Sequence, residues 1–129
     1  MPLYRVFIVE DHPIVLESLV ELFEFEDGFE TAGTAASAEE ALDAFATSGA
    51  HLLVTDISLP GMSGLEMTRE LCRRNPDVRV LVLSGHQGNI YSVQAREAGA
   101  CGFVTKTAIV TDLIPALTRI AEGGHAFAS

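Results

Sequence analysis

The sequence predicts an α/β fold, a parallel sheet covered by helices on both faces, and three observations point there. Apolar runs short enough to be strands alternate with helix-period segments along all 129 residues. The connections between them are short. Four of the apolar runs also end on residues able to do chemistry: Glu10-Asp11 after Val6-Phe7-Ile8-Val9, Asp56 after Leu52-Leu53-Val54, Ser84 after Val80-Leu81-Val82-Leu83, and Lys106 after Phe103-Val104.

Taken in order, a first strand is expected near 4–9, followed by a helix near 13–26 in which Leu16, Leu19, Val20 and Phe23 recur at helical spacing. A strand near 30–34 leads to a helix near 38–48, whose start is marked by Ser37-x-x-Glu40 and whose end is marked by Gly49. The strand near 51–55 is followed by a helix near 64–74 that opens on Ser63-x-x-Glu66 and carries Leu65, Met67, Thr68, Leu71 and Cys72 on a looser stripe. Next come a strand near 78–84 and a helix near 88–98 closed by Gly99. Gly88 there costs roughly 1 kcal/mol relative to alanine, so this helix is expected to fray at its start. A strand near 102–105 and a helix near 111–122, closed by Gly123-Gly124, complete the set. Pro115 is tolerated in the last helix if Thr111 is its N-cap, because it then falls in the first turn. No repeat, linker or low-complexity stretch interrupts residues 1–129, which read as a single domain.

Composition narrows the function. A hydrophobic content of 48% supports one real core. A formal charge of −10, with only eight Lys and Arg residues, argues against direct binding to nucleic acid, which needs a basic surface. Cys72 and Cys101 lack metal-ligand spacing and read as reduced core residues. The N-terminus lacks the form of a signal peptide, and no apolar run approaches the ~18 residues of a membrane span. A cytoplasmic protein with no membrane partner is expected. The acids Glu24, Glu26, Asp27 and Glu30 read as a solvated surface.

Five β/α units suggest the doubly wound, flavodoxin-like strand order 2-1-3-4-5, a (βα)5 arrangement with its switch point between strands 1 and 3. Asp11 and Asp56 follow those two strands. Glu10, Asp11 and Asp56 would then project into one cleft, where two carboxylates ~4 Å apart repel by roughly 4 kcal/mol at an effective dielectric of 20. Something positive must sit among them. Lys106, the only lysine in the chain, can supply one charge. An octahedral Mg²⁺ fits better, since it accepts one or two carboxylates, keeps waters and bridges to phosphate.

Four stretches now resemble a known family, the receiver domain of two-component response regulators. They are Val9-Glu10-Asp11-His12-Pro13, Thr55-Asp56-Ile57-Ser58-Leu59-Pro60-Gly61-Met62-Ser63-Gly64, Val82-Leu83-Ser84-Gly85, and Gly99-Ala100-Cys101-Gly102-Phe103-Val104-Thr105-Lys106. The opening Asp-His-Pro and the closing Ile120-Ala121-Glu122-Gly123-Gly124 look most like the LuxR/NarL-type subfamily, whose receivers precede a helix-turn-helix domain. The resemblance implies that such a DNA-binding domain follows in a longer protein, so that DNA is reached only through it.

The resemblance also implies residue roles. Asp56 would be the phosphoacceptor, taking a phosphoryl group from a histidine kinase or phosphotransfer protein. Asp11 would ligate Mg²⁺ directly and Glu10 mainly through water, with Asp56 and the Ser58 backbone carbonyl completing the protein ligands. Lys106 and the Ser84 hydroxyl would each take a phosphoryl oxygen, and small Gly85 would leave the approach open. Ser84 and Phe103 would form the switch, altering the surface of the fourth helix, fifth strand and fifth helix to control an output such as transcription or pairing of two copies. The family usually carries tyrosine or another aromatic at the position of Phe103, so packing is kept here and a hydroxyl is lost. Ser84 stands where threonine is commoner.

Each residue alone has an ordinary explanation. Strand-exit acids are often only solvated, Asp56 could form a turn before Pro60-Gly61, Ser84 could cap its strand, Lys106 could be a surface charge and Phe103 a core aromatic. His12 and His86 beside the cleft are given no catalytic role, although His86 could influence phosphate lifetime. Convergence of the four groups reverses those readings. The chain is expected to be a phosphoacceptor rather than an enzyme, one that assists its own phosphorylation and dephosphorylation. Two alternatives stand beside it. One is a Mg²⁺-dependent phosphohydrolase with an aspartyl-phosphate intermediate, which in haloacid-dehalogenase-like enzymes places the nucleophile after the first strand. The other is a receiver-like interaction module that works without phosphate.

Overall fold

In a computed structural model that describes residues 3–86 and 89–127, the strands and helices alternate in the expected order. The strands are β1 (Tyr4–Val9), β2 (Phe29–Ala35), β3 (Leu52–Asp56), β4 (Arg79–Ser84), β5 (Gly102–Thr105) and β6 (Ala126–Phe127). The helices are α1 (Pro13–Phe25), α2 (Ala38–Ser48), α3 (Gly64–Arg74), α4 (Asn89–Glu97) and α5 (Ile109–Ala121). The sheet is parallel throughout, in the order β2-β1-β3-β4-β5-β6. The expected order 2-1-3-4-5 therefore holds, and the expected count of five strands is corrected to six. The added strand is two residues long, too short to show a period of its own.

Strands buried on both faces read as continuous apolar runs, because each face needs its own cover. In β1, Phe7 and Val9 face a cluster with Phe45 of α2 and Met67 and Leu71 of α3, whereas Val6 and Ile8 face Leu19 and Phe23 of α1 and Leu113, Leu117 and Ile120 of α5. The stripes expected on the first and third helices supply Leu19, Phe23, Met67 and Leu71 to these two cores. At the outer edge, β2 bulges: its pairing with β1 shifts between Val6 and Phe7, from Thr31 to Gly33. A Cβ on Gly33 would lie 2.8 Å from the Phe7 ring, so glycine lets that ring fold over the strand.

Both predicted capping serines accept as expected, Ser37 from Glu40 N at 3.2 Å and Ser63 from Glu66 N at 3.1 Å. Glu40 completes its side of the exchange one residue early, accepting from Ala36 N at 3.2 Å. The ends of α4 and α5 both carry paired return bonds. Gly99 N donates to Arg96 O and Ala100 N to Ala95 O, while Gly123 N donates to Ile120 O and Gly124 N to Arg119 O. Gly99 and Gly123 adopt φ of 103° and 96°, where a side chain would be strained.

Two local expectations change. Helix α5 begins at Ile109, continuing from a 3-10 turn at Lys106–Ala108, so Thr111 is not its N-cap and Pro115 lies inside the helix. The carbonyl that Pro115 cannot serve is that of Thr111, and both residues are exposed, which leaves it to solvent. Glu30 is not simply solvated, since it pairs with Arg5, whose guanidinium also donates to Ser48 O at 3.1 Å. Gly88 lies outside the described residues, and so does the fraying expected of it.

Helix α3 starts hard against the end of β3. Gly64 N donates to Ile57 O at 3.0 Å, and a Cβ on Gly64 would stand 2.0 Å from the backbone oxygen of Asp56. Gly64→Ala is therefore expected to lower unfolding free energy by ~1–3 kcal/mol, the range of an overpacked interior, as read from urea denaturation. Ser37→Ala should cost about 1 kcal/mol in the same measurement through its lost cap, and an unchanged midpoint would show that the cap contributes nothing.

Candidate functional site

The last β1–β3 register pair is Val9 with Thr55, so Glu10 and Asp56 emerge side by side where the pairing stops. Asp56 in turn pairs in register with Leu83, which places Ser84 one residue further on, and Ser84 is in register with Thr105, directly before Lys106. The four strand exits thus meet at one edge of the sheet, as the crevice rule for open α/β sheets requires.

Lys106 Nζ lies 2.7 Å from Asp56 Oδ2 and 3.1 Å from Glu10 Oε1. Both acids are nearly inaccessible, at 1% for Glu10 and 4% for Asp56, while Asp11 is exposed at the rim. Glu10 Oε2 accepts from His12 N at 3.2 Å, and Asp56 Oδ1 accepts from Ser58 N at 3.2 Å. Burial raises the Glu10 carboxyl above the ordinary range, with the neighbouring Asp56 charge adding to it, against the lowering by His12 N–H and Lys106. Burial alone would lower the Lys106 ammonium, but the hydrogen bond to Asp56 and the charges of Asp56 and Glu10 outweigh it and raise the group overall.

The charges do not balance. Glu10, Asp11 and Asp56 bring carboxylate oxygens within 4.8 Å of one another, and the ammonium of Lys106 answers one of the three. Glu10 Oε1, though close to Lys106, is buried without an aligned hydrogen bond. Three hard oxygen donors with an under-satisfied acceptor fit a hard divalent cation. This cluster can hold a metal.

Ser84 is fully buried and its hydroxyl is engaged in the following turn, donating to His86 O at 3.2 Å and accepting from His86 N at 3.0 Å. The His86 ring stacks on Tyr91 of α4, with centroids 5.2 Å apart. Phe103 is buried at 3% exposure. Ser58 is exposed and Gly85 has open space where a Cβ would stand. Cys72 and Cys101 are free thiols, and burial raises that of Cys72.

Some residues with a part in the site carried no assigned role in the sequence. The hydroxyl of Thr55, itself fully buried, donates to the Asp56 carbonyl at 2.9 Å, and Gly64 abuts the same oxygen. Between them they hold the main chain of Asp56. Glu39 of α2 reaches the loop after β3, with Oε2 3.4 Å from Met62 N. A glycine directly after a capping serine was the available signal for Gly64; Thr55 and Glu39 offered none.

The chain is similar to known proteins over nearly all of its length. The chain is 30% identical to the response regulator UvrY of Escherichia coli over 125 residues, 97% of this chain and 57% of that protein. It is 32% identical to the transcriptional regulatory protein DegU of Brevibacillus brevis over 120 residues, 93% of this chain and 51% of that one. The chain spans about half the length of the curated relatives it matches. Among solved structures, a LuxR-family two-component response regulator from Aurantimonas superposes with a TM-score of 0.92 at 35% identity, covering 96% of this chain and 89% of that one. The isolated receiver domain of RcsB from Salmonella enterica, in the presence of phosphomimetic BeF3-, gives 0.90 at 25% identity, covering 98% and 94%. Residues 6–118 match the response regulator receiver domain, and the chain belongs to that family.

Proposed function

We propose that the chain is a phosphoacceptor module in which Asp56 takes a phosphoryl group from a histidine kinase or phosphotransfer protein. The observation that carries this reading is the Asp56 carboxylate at the end of a central strand, held at 2.7 Å by Lys106 and flanked by Glu10 and Asp11. An Asp56 carboxylate oxygen attacks phosphorus, and the bond from phosphorus to the donor imidazole nitrogen breaks. The electron pair stays on that nitrogen, which takes up a proton, and Asp56 becomes an acyl phosphate. Asp11, Asp56 and the backbone carbonyl of Ser58, with Glu10 mainly through water, would hold Mg²⁺, which when bound would neutralise phosphoryl charge. Lys106 moves its ion pair from Asp56 to a phosphoryl oxygen, and the open side at Gly85 admits the donor. The module thereby assists its own phosphorylation and, by admitting water, its own dephosphorylation.

Phosphorylation adds ≈ −1.5 to −2 charge beside Ser84. The Ser84 hydroxyl then leaves the His86 turn for a phosphoryl oxygen, and Phe103 shifts after it, changing the α4–β5–α5 surface. A helix-turn-helix domain following this module would carry the output to DNA, with pairing of two copies on phosphorylation. Such a protein would work in the cytoplasm; no described helix is long and apolar enough to cross a membrane. The relatives support a transcriptional output: DegU is named a transcriptional regulatory protein, and RcsB has been solved bound to a promoter.

Incubation with Mg²⁺ and phosphoramidate should add one phosphoryl group by intact mass, and Asp56→Asn should add none. Equal labelling of that variant would move the site elsewhere, and rapid turnover of a phosphate ester without an adduct would favour a hydrolase. Lys106→Ala should slow labelling by roughly 10- to 100-fold, the worth of one charge-assisted hydrogen bond. Asp11→Asn removes one exposed acid from the cluster, so it should raise metal-free stability by under about 1 kcal/mol and abolish the further stabilisation that Mg²⁺ gives the parent. Thermal melts with and without Mg²⁺ decide this.

A further inference from the structure

Resting on the proposed phosphorylation switch, we infer that the α4–β5–α5 face has an occupant, the chain's own strand β6, which acts as a strap released when Phe103 moves. Strand β6 lies along β5 in parallel register, Gly102 with Ala126 and Phe103 with Phe127, and Ala126 N donates to Cys101 O at 2.9 Å. Register partners in a parallel pair present their side chains to the same face. Phe127 accordingly packs against the cluster that contains Phe103, Tyr91 and Ala95.

Several independent contacts specify this seat. The Arg96 guanidinium of α4 lies 4.2 Å above the centre of the Phe127 ring. Arg79 of β4 donates to Gly124 O at 2.6 Å and to Ile120 O at 3.2 Å, tying the approach to β6 down to the sheet. Gly102 completes the fit: a Cβ there would stand 2.7 Å from Ile120 Cδ1 and 3.0 Å from Ala126 O. The fifth strand is therefore cut to receive the sixth. An open groove lies beside Phe103 and Phe127, bordered by Pro115 and Arg119 of α5, while Ala126 packs on the cluster that contains Leu117 and Ile120 of that helix.

The consequence is directional. While Ser84 is bound to the His86 turn, Phe103 stays beside Phe127 in one cluster and the strap is seated. When Ser84 is drawn to the phosphoryl group and Phe103 follows, Phe127 loses its neighbour in that cluster, and two strand residues cannot hold an edge alone. The β5 edge is then uncovered.

The test is amide hydrogen exchange at Ala126 by NMR, on the full chain with Mg²⁺ alone and with Mg²⁺ and beryllofluoride. Exchange at Ala126 should quicken about tenfold or more with beryllofluoride, while β1 and β3 amides hold their rates. Unchanged or slower exchange, in a sample whose Ser58 and Ser84 signals show that the site is filled, overturns the strap. Beryllofluoride that leaves Ser58 and Ser84 unmoved counts against the phosphoacceptor reading instead, and the coupling is then decided by Phe103→Leu, which should quicken Ala126 exchange without any ligand. Equal rates in that variant refute the coupling. Gly102→Ala serves as the unstrapped reference, expected to lose Ala126 protection in every condition; full protection there would show that β6 needs no fitted seat and would sink the proposal.

Discussion

One ammonium shared by two buried carboxylates is the interaction around which this molecule is arranged. Lys106 arrives from the far side of the sheet, three strands across from β1, and its reach to Glu10 and Asp56 depends on β3, β4 and β5 stepping up in register one after another. A slip of one residue in any of those pairings would turn every side chain of the strand to the opposite core. The two apolar clusters thus do more than stabilise the sheet; they set the ends of the strands to within the length of a hydrogen bond. An acidic site of this kind is a local cost to folding, carried by a core that is apolar on both faces.

The hydroxyls and glycines around that ion pair divide into those that hold and those that can move. Thr55 and Gly64 clamp the main chain of Asp56 within the sheet and the first turn of α3, where neither has room to shift. Ser84 is different. Its two bonds are to a turn, and the ring carried by that turn leans on Tyr91 of α4. Under the proposed phosphorylation, a carboxylate whose main chain is held this way, beside a hydroxyl bonded only to a turn, is the arrangement a two-state response needs.

Much of this could be read from the amino acids, for reasons that differ from residue to residue. The alternation of apolar runs with capped helices determined the doubly wound order, because a parallel sheet with short crossovers has few other solutions. Placing chemistry at the strand exits then brought Glu10, Asp11, Asp56 and Lys106 together, as the distances bear out. Strand β6 escaped because two residues cannot display a period, and its signature lay in a glycine, Gly102, whose meaning depends on atoms far away in sequence. The start of α5 was misplaced because the turn at Lys106–Ala108 leads into it without a capping side chain. The direction of the Ser84 hydroxyl could not be read at all, since a rotamer is settled by neighbours rather than by composition.

That Lys106 is the chain's sole lysine makes the pocket singular in another respect. Its side chain is 23% exposed, apart from the amino terminus it is the chain's one amine, and the acids it opposes hold it as an ammonium. Acetylation there would erase the positive charge without touching the fold's interior, leaving Glu10 and Asp56 to face each other unopposed.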